Sequence, residues 1–346
     1  MARRLLWGSL ALTPVAIAAR FVFHAGDVTL FALAAISLVP LAWLIGEATE
    51  HAGEHTGPGV GGFLNASFGN APELIIALFA IDSNLPNVVR GSLTGSVVSN
   101  ILLVLGLAML LGPDGARLDR RSLLLQLLLV FAAVLAFLIP AVPALHGDPE
   151  RHSLALLTIP VAVGLLGLYV VITARNLRRH RAAHREEARE QAWSLPQALT
   201  ALGLATALTA LVSEILVHSL DGFARSAGLS EFFIAAVIVA IVGNAAEHGG
   251  AIVIALRGKM ELASEIAISS SAQVAVFLVP AVALLSFAVT PALPLSFRPV
   301  ELIGMGGAAA GVGFVIRDGR SRRWEGLLLI AAYTAFVIVV YHVGDR

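Results

Sequence analysis

Stretches of about twenty apolar residues, separated by short polar or glycine-rich segments, follow one another along the whole 346-residue chain. A membrane-spanning helix needs about 20 predominantly apolar residues. On that measure spans fall near 5–23, 29–50, 60–82, 89–111 and 122–145, then near 153–174, 197–220, 231–256, 261–289, 299–316 and 324–343. Eleven such spans use up nearly the whole chain, which predicts an all-α polytopic membrane protein without a soluble domain. The one long polar stretch, 175–195, is rich in Ala, Arg and Glu and reads as a charged cytoplasmic linker. The expected organisation is an N-terminal transmembrane helix (1–28), a first five-helix repeat (29–174), the linker (175–196) and a second five-helix repeat (197–346). Arg3-Arg4 ahead of an apolar run also fits a secretory leader, but the run continues through Thr13-Pro14 to Phe23, longer than a leader core of about 7–15 residues.

Composition narrows the picture further. Charged residues make up 13% of the chain, about half the share usual in globular proteins, which excludes a disordered or coiled-coil chain. The absence of cysteine excludes disulfides and thiolate metal centres. Lys+Arg and Asp+Glu balance at 23 each, so no nucleic acid or other polyanion is expected as a partner, and the lipid bilayer is. The positive charges are unevenly placed: 17 fall in the loops of one side and 6, among them Arg90 and Arg298, on the other. Basic loops stay in the cytoplasm. The N-terminus is therefore expected in the cytoplasm and the C-terminus outside, in a plasma membrane.

The chain repeats itself. Gly69-Asn70-Ala71-Pro72-Glu73 in the third span returns as Gly243-Asn244-Ala245-Ala246-Glu247 in the eighth, 174 residues later. Five spans from one copy to the other make them run oppositely through the membrane, an inverted-topology repeat with its site near the bilayer midplane. Further echoes are Ser99-Asn100 against Ser270 to Gln273, and Glu47 against Glu214.

A charged side chain at the bilayer centre costs about 2.5–3.5 kcal/mol, so Glu73 and Glu247 mark function. Two carboxylates with no Lys or Arg in the same helix core need either protons or a cation. Competition between the two for the same oxygens is the minimum a proton-coupled exchanger requires. Asn70 and Asn244, three positions before each Glu, share its helical face. Their amide oxygens, the carboxylates and freed backbone carbonyls suit a hard cation such as calcium, which takes 6–8 oxygens. Pro72 should deprive the Phe68 carbonyl of its donor. Ser99, Asn100, Ser270, Gln273 and His248 are expected to line the same pocket, and Glu47 and Glu214 to form an entrance or proton path.

The paired Gly-Asn-Ala-x-Glu motifs, the Gly-Ser-x-x-Ser-Asn-x-Leu-Leu-Val-Leu-Gly run at 95–106 and Ser-Ser-Ala-Gln at 270–273 resemble the calcium/proton antiporter branch of the calcium/cation exchanger superfamily. The resemblance covers essentially the whole chain. It implies an eleven-span inverted-repeat transporter that exports calcium against protons, with Glu73 and Glu247 carrying the cation and alternating with protons. No resident cofactor is implied, and a homo-oligomer is compatible with it. Several relatives carry an acidic helix where this chain has the basic 175–195 linker.

Two rivals compete. An antiporter for sodium, potassium or manganese would use the same fold and oxygen site. From another class, His51-Ala52-Gly53-Glu54-His55 fits the His-x-x-Glu-His pattern of zinc metalloproteases, with His51 and His55 as ligands and Glu54 as base. Gly57-Pro58-Gly59 is expected to end the helix there, and the repeat would go unexplained.

Overall fold

The computed structural model describes residues 2–144, 152–180, 193–289 and 292–343; most of the linker, 181–192, lies outside them. The chain is helical almost throughout: α1 (Ala2–Ser9), α2 (Leu12–Phe21), α3 (Asp27–Phe68), α4 (Ala71–Asp82), α5 (Pro86–Leu111), α6 (Arg120–Ala144), α7 (His152–His180) and α8 (Leu195–Ala227). They are followed by α9 (Glu231–Gly243), α10 (Ala245–Leu256), α11 (Met260–Ala288), α12 (Pro299–Val315) and α13 (Arg323–Val343). The two-residue strands β1 (Ala116–Arg117) and β2 (Arg320–Ser321) pair antiparallel.

Eight helices among the described residues are long and apolar enough to cross a membrane, or nine if the bent pair α9–α10 counts as one span. The expected count of eleven is not reached on this measure, for two local reasons. The first span is split at Leu10–Ala11 into the short α1 and α2, and the third is interrupted at Gly69–Asn70. The second expected boundary is missing as well. α3 runs for 42 residues, about 63 Å, straight through Gly57-Pro58-Gly59. A proline inside a helix costs about 3 kcal/mol, a local preference that the surroundings override here, and the helix continues.

The chain forms two compact units, each drawing on both sequence halves: Met1–Phe79 with Gly167–Ala227 and Val242–Ala246, and Ala80–Leu166 with Gly228–Ile241 and Glu247–Arg346. In the first unit α3 packs along α8, burying Leu44, Ile45 and Ala48 against Leu202 and Ala205. Phe31 stacks on Phe223 at 4.3 Å, and Gly222 lets the Asp27 carboxylate lie directly on its backbone.

The second unit is built on close backbone approach around α5. Gly91 and Gly95, four residues apart, face α9: a Cβ on Gly91 would lie 2.8 Å from the Phe232 carbonyl oxygen, and one on Gly95 would overlap the Ala236 carbonyl. Farther along, Gly106 of α5 meets Gly326 of α13, where a Cβ on Gly326 would lie 2.6 Å from the Gly106 carbonyl oxygen. Small residues at such crossings replace side-chain packing with backbone contact, the usual source of helix association in lipid.

This unit also buries a charge cluster that sequence reading missed. Glu301, in the first turn of α12, is 0% exposed. Its Oε2 accepts from the Arg298 backbone N–H at 2.6 Å and its Oε1 lies 3.1 Å from Arg298 Nε and 4.0 Å from Arg90 Nε. Arg90 also donates to Asn87 Oδ1 at 2.9 Å, and the Arg298 guanidinium lies over the Phe232 ring at 4.3 Å. Arg90 and Arg298, counted among the six basic residues of the sparse side, are thus partners of a buried carboxylate.

Candidate functional site

Both repeat motifs fold as a helix break with a glutamate just beyond it. α3 stops at Phe68, the residue whose carbonyl Pro72 cannot serve, and Gly69 and Asn70 make the turn. Helical bonding resumes when the Leu74 N–H donates to the Asn70 carbonyl at 3.0 Å. In the second copy Asn244 alone is the break, and α10 leaves α9 at a bend of 61°. Glu73 is the third residue of α4 and Glu247 the third of α10. There a carboxylate faces the positive end of its own helix, while the preceding helix ends with carbonyls lacking intrahelical donors. Carboxylate and open carbonyl oxygens at one break are the ligand types of a hard cation.

The equivalence of the copies extends well beyond the pentapeptide. α4 and α10 begin 174 residues apart, at Ala71 and Ala245, and end 174 apart, at Asp82 and Leu256. The turns that follow match residue for residue: Asn84 (φ 56°) and Gly258 (φ 83°) are both left-handed, and Leu85 and Lys259 share an unusual ψ of 64° and 61°. Each of the next helices, α5 and α11, carries a π-helical segment, Ser99–Val104 and Val274–Leu278, ending at equivalent positions. A third π segment, Ala235–Val239, lies in α9 ahead of the second break. Such wide turns concentrate at functional sites, and nothing in side-chain periodicity announces them.

In the first unit, Glu73 is 4% exposed and Asn70 and Asn244 are buried. Gly243 lies so close that a Cβ built on it would stand 2.9 Å from Glu73 Cγ and 3.3 Å from Cδ. Glycine at 243 lets the break of the second copy lie against the carboxylate of the first. Glu47 and Glu214 belong to the same unit and are half-buried. Glu47 Oε1 lies 3.7 Å from His51 Nε2. In the 174-residue register Glu214 is level with Pro40, so it is not the counterpart of Glu47.

In the second unit, Glu247 is half-buried as a residue, but its Oε2 is shielded and has no hydrogen-bond partner among the described residues. The same holds for His248 Nε2. A buried carboxylate oxygen without a donor is costly unless a proton or a cation meets it. Asn100 Nδ2 donates to Ser270 Oγ at 3.0 Å, and Ser271 Oγ donates to the Val97 carbonyl at 2.7 Å. Val97 and Ser271 are equivalent positions, and equivalent positions touch only on the axis that relates the copies. Asn100 and Ser270 bond one turn away from that axis. Ser99 turns back to the Ser96 carbonyl at 3.4 Å. Gln273 is level with Ser99 and Asn100 with Val274, the one-residue offset between the two runs.

The His-x-x-Glu-His motif lies inside α3 rather than at its end, and its ring atoms are engaged elsewhere. His51 Nδ1 lies 3.2 Å from Glu54 Oε2 and its ring stacks on Trp193 at 4.9 Å, while His55 Nε2 meets the Trp193 carbonyl at 2.6 Å. The two histidines hold the chain where it re-enters from the linker.

The family described as sodium/calcium exchanger protein matches residues 27–178 and 197–342. The Ca(2+)/H(+) antiporter ChaA of Bacillus subtilis (strain 168) is 39% identical over 329 residues, covering 91% of this chain and 92% of its own. The vacuolar cation/proton exchanger 1a of Oryza sativa subsp. japonica is 35% identical over 92% of this chain and 76% of its own. Among solved structures, native YfkE superposes with a TM-score of 0.85 at 34% identity, covering 98% of this chain and 100% of that one. The H+/Ca2+ exchanger CAX shares the fold with a TM-score of 0.76 at 19% identity, covering 99% and 91%.

Proposed function

Because the chain belongs to the sodium/calcium exchanger family, we propose that it is a secondary transporter exchanging cytoplasmic calcium for external protons by alternating access. What carries the reading is the duplicated break that sets a glutamate in the first turn of α4 and again of α10, with the Glu247 Oε2 buried and unpartnered among the described residues. Its near relatives bear the name Ca(2+)/H(+) antiporter.

Glu73 and Glu247 hold the cation, and Asn70, Asn244 and the carbonyls of the two breaks complete its oxygen shell. When the cation leaves, protons take the carboxylates, so an empty site never holds two bare charges. Each tenfold proton gradient then supplies about 1.4 kcal/mol per proton moved. Asn100, Ser270, Ser99, Gln273 and His248 form the polar surround, and Glu47 and Glu214 the approach. The N-terminus lies in the cytoplasm and the C-terminus outside.

Inside-out vesicles with an imposed proton gradient test this, with sodium, potassium and manganese run beside calcium. Calcium uptake that collapses on adding a protonophore is expected. Protonophore-sensitive uptake of sodium or potassium without calcium would overturn the substrate, and calcium flux indifferent to the gradient would overturn the coupling.

Gly243→Ala gives a finer check. The added methyl must displace the Glu73 side chain, and misplacement on the scale of an ångström costs a reacting centre up to about 100-fold. Transport at saturating calcium is expected to fall roughly tenfold or more in correctly folded protein. Wild-type transport by Gly243→Ala would show that the close approach has no part in the site.

A further inference from the structure

Several features of the second unit converge where α12 turns into α13. The two helices border a groove of about 630 Å³ lined throughout by apolar residues and glycine. Ile303, Gly304, Gly307 and Gly311 form one wall, Leu328 and Phe336 the other. Gly307 and Gly311 face open space, with nothing within 4 Å of a Cβ built on either. Both wall helices are long and apolar enough to cross a membrane, which sets the groove between two candidate spans.

At one end of the groove the connection between the helices becomes β2, whose pairing with β1 sets Arg117 directly opposite Arg320. Like charges opposite one another on a ribbon are destabilising. More arginines crowd the same corner. Arg120, Arg121, Arg317 and Arg323 are exposed; among the described residues Arg322 pairs with Asp318 at 2.6 Å and Glu325 at 3.4 Å, while Asp114 and Asp119 accept from the backbone N–H groups of Arg323 and Arg121. Arg317 lies over the exposed Phe314 ring at 3.8 Å, and the exposed Trp324 opens α13, an aromatic side chain at the level where headgroups lie.

We propose that this corner is a binding site for an anionic phospholipid, with an acyl chain in the α12–α13 groove and the phosphate between Arg117 and Arg320. One molecule then meets both demands: its chain fills the apolar groove, and its charge relieves the arginine pair. An apolar helix from a second copy would fill the groove and leave the arginines facing each other. Basic pockets between transmembrane helices recognise lipid headgroups in this way. The inference is independent of which ion the protein carries.

Native mass spectrometry of the full chain in detergent, with phosphatidylglycerol or phosphatidylcholine added at equal concentration, tests it. Wild-type protein is expected to retain one phosphatidylglycerol per chain in preference to phosphatidylcholine by about tenfold or more, the scale of two arginine–headgroup attractions. The double variant Arg117→Gln/Arg320→Gln should lose the preference, and Gly307→Leu, which fills the groove, should lose the lipid while keeping the monodisperse profile of a folded protein. Equal retention of both lipids by the wild type overturns the proposal. So does preferential retention that survives both variants, and so does a Gly307→Leu protein that changes oligomeric mass while holding its lipid, which would assign the groove to a second copy.

Discussion

Glu73→Gln and Glu247→Gln are each expected to abolish calcium/proton exchange in proteoliposomes while leaving the size-exclusion profile of the protein unchanged. Glutamine keeps the volume of the side chain and its place in the first turn of α4 or α10. It removes both properties that the proposed cycle needs, because an amide neither carries a negative charge toward a divalent cation nor takes up a proton when the cation leaves. At 4 Å and an effective dielectric of about 20, one unit-charge attraction is worth about 4 kcal/mol, so the loss exceeds what the remaining carbonyl and amide oxygens replace. Glu73→Asp and Glu247→Asp keep the charge and withdraw it by one methylene, and should retain partial exchange. The pattern separates chemistry from packing: a purely structural role would tolerate the isosteric amide better than the shortened acid. Transport at the wild-type rate in either glutamine variant would remove that residue from the site.

The helix breaks were legible because their cause is local. Proline at 72 and the Gly-Asn pair before it dictate where α3 stops, and α4 begins where they say. The 174-residue spacing of the motifs was legible for the same reason, and it holds through the turns at Asn84 and Gly258. What failed depended on tertiary surroundings. Gly57-Pro58-Gly59 carries a strong turn signal, yet α3 passes through it, because local propensity is a weak preference that tertiary surroundings override. The partners of His51 and His55 were out of reach for a different reason. Trp193 stands 138 residues beyond His55, and no helical spacing connects them.

Glu301→Gln is expected to destabilise the protein by about 3–5 kcal/mol, the cost of removing one partner from a buried ion pair. The amide still accepts from the Arg298 backbone N–H and still fits the first turn of α12, so helix capping survives. What goes is the negative charge that Arg90 and Arg298 share, leaving two guanidinium groups facing a neutral side chain with Arg90 almost wholly buried. Removing one of those charges as well should recover part of the loss. Arg90→Met/Glu301→Gln is therefore expected to unfold in detergent at a temperature between the wild type and the single variant, because a buried charge replaced by an apolar group of similar volume is often neutral or better. The cluster lies at the start of both α5 and α12, and α5 is the helix against which α9 and α13 pack backbone to backbone. Loss of the cluster should consequently loosen the unit that carries Asn100, Ser270 and Glu247, and calcium in excess should raise the unfolding temperature of the single variant by mass action. An unfolding temperature for Glu301→Gln equal to that of the wild type would mean that the two arginines find other compensation and that the carboxylate is dispensable for stability.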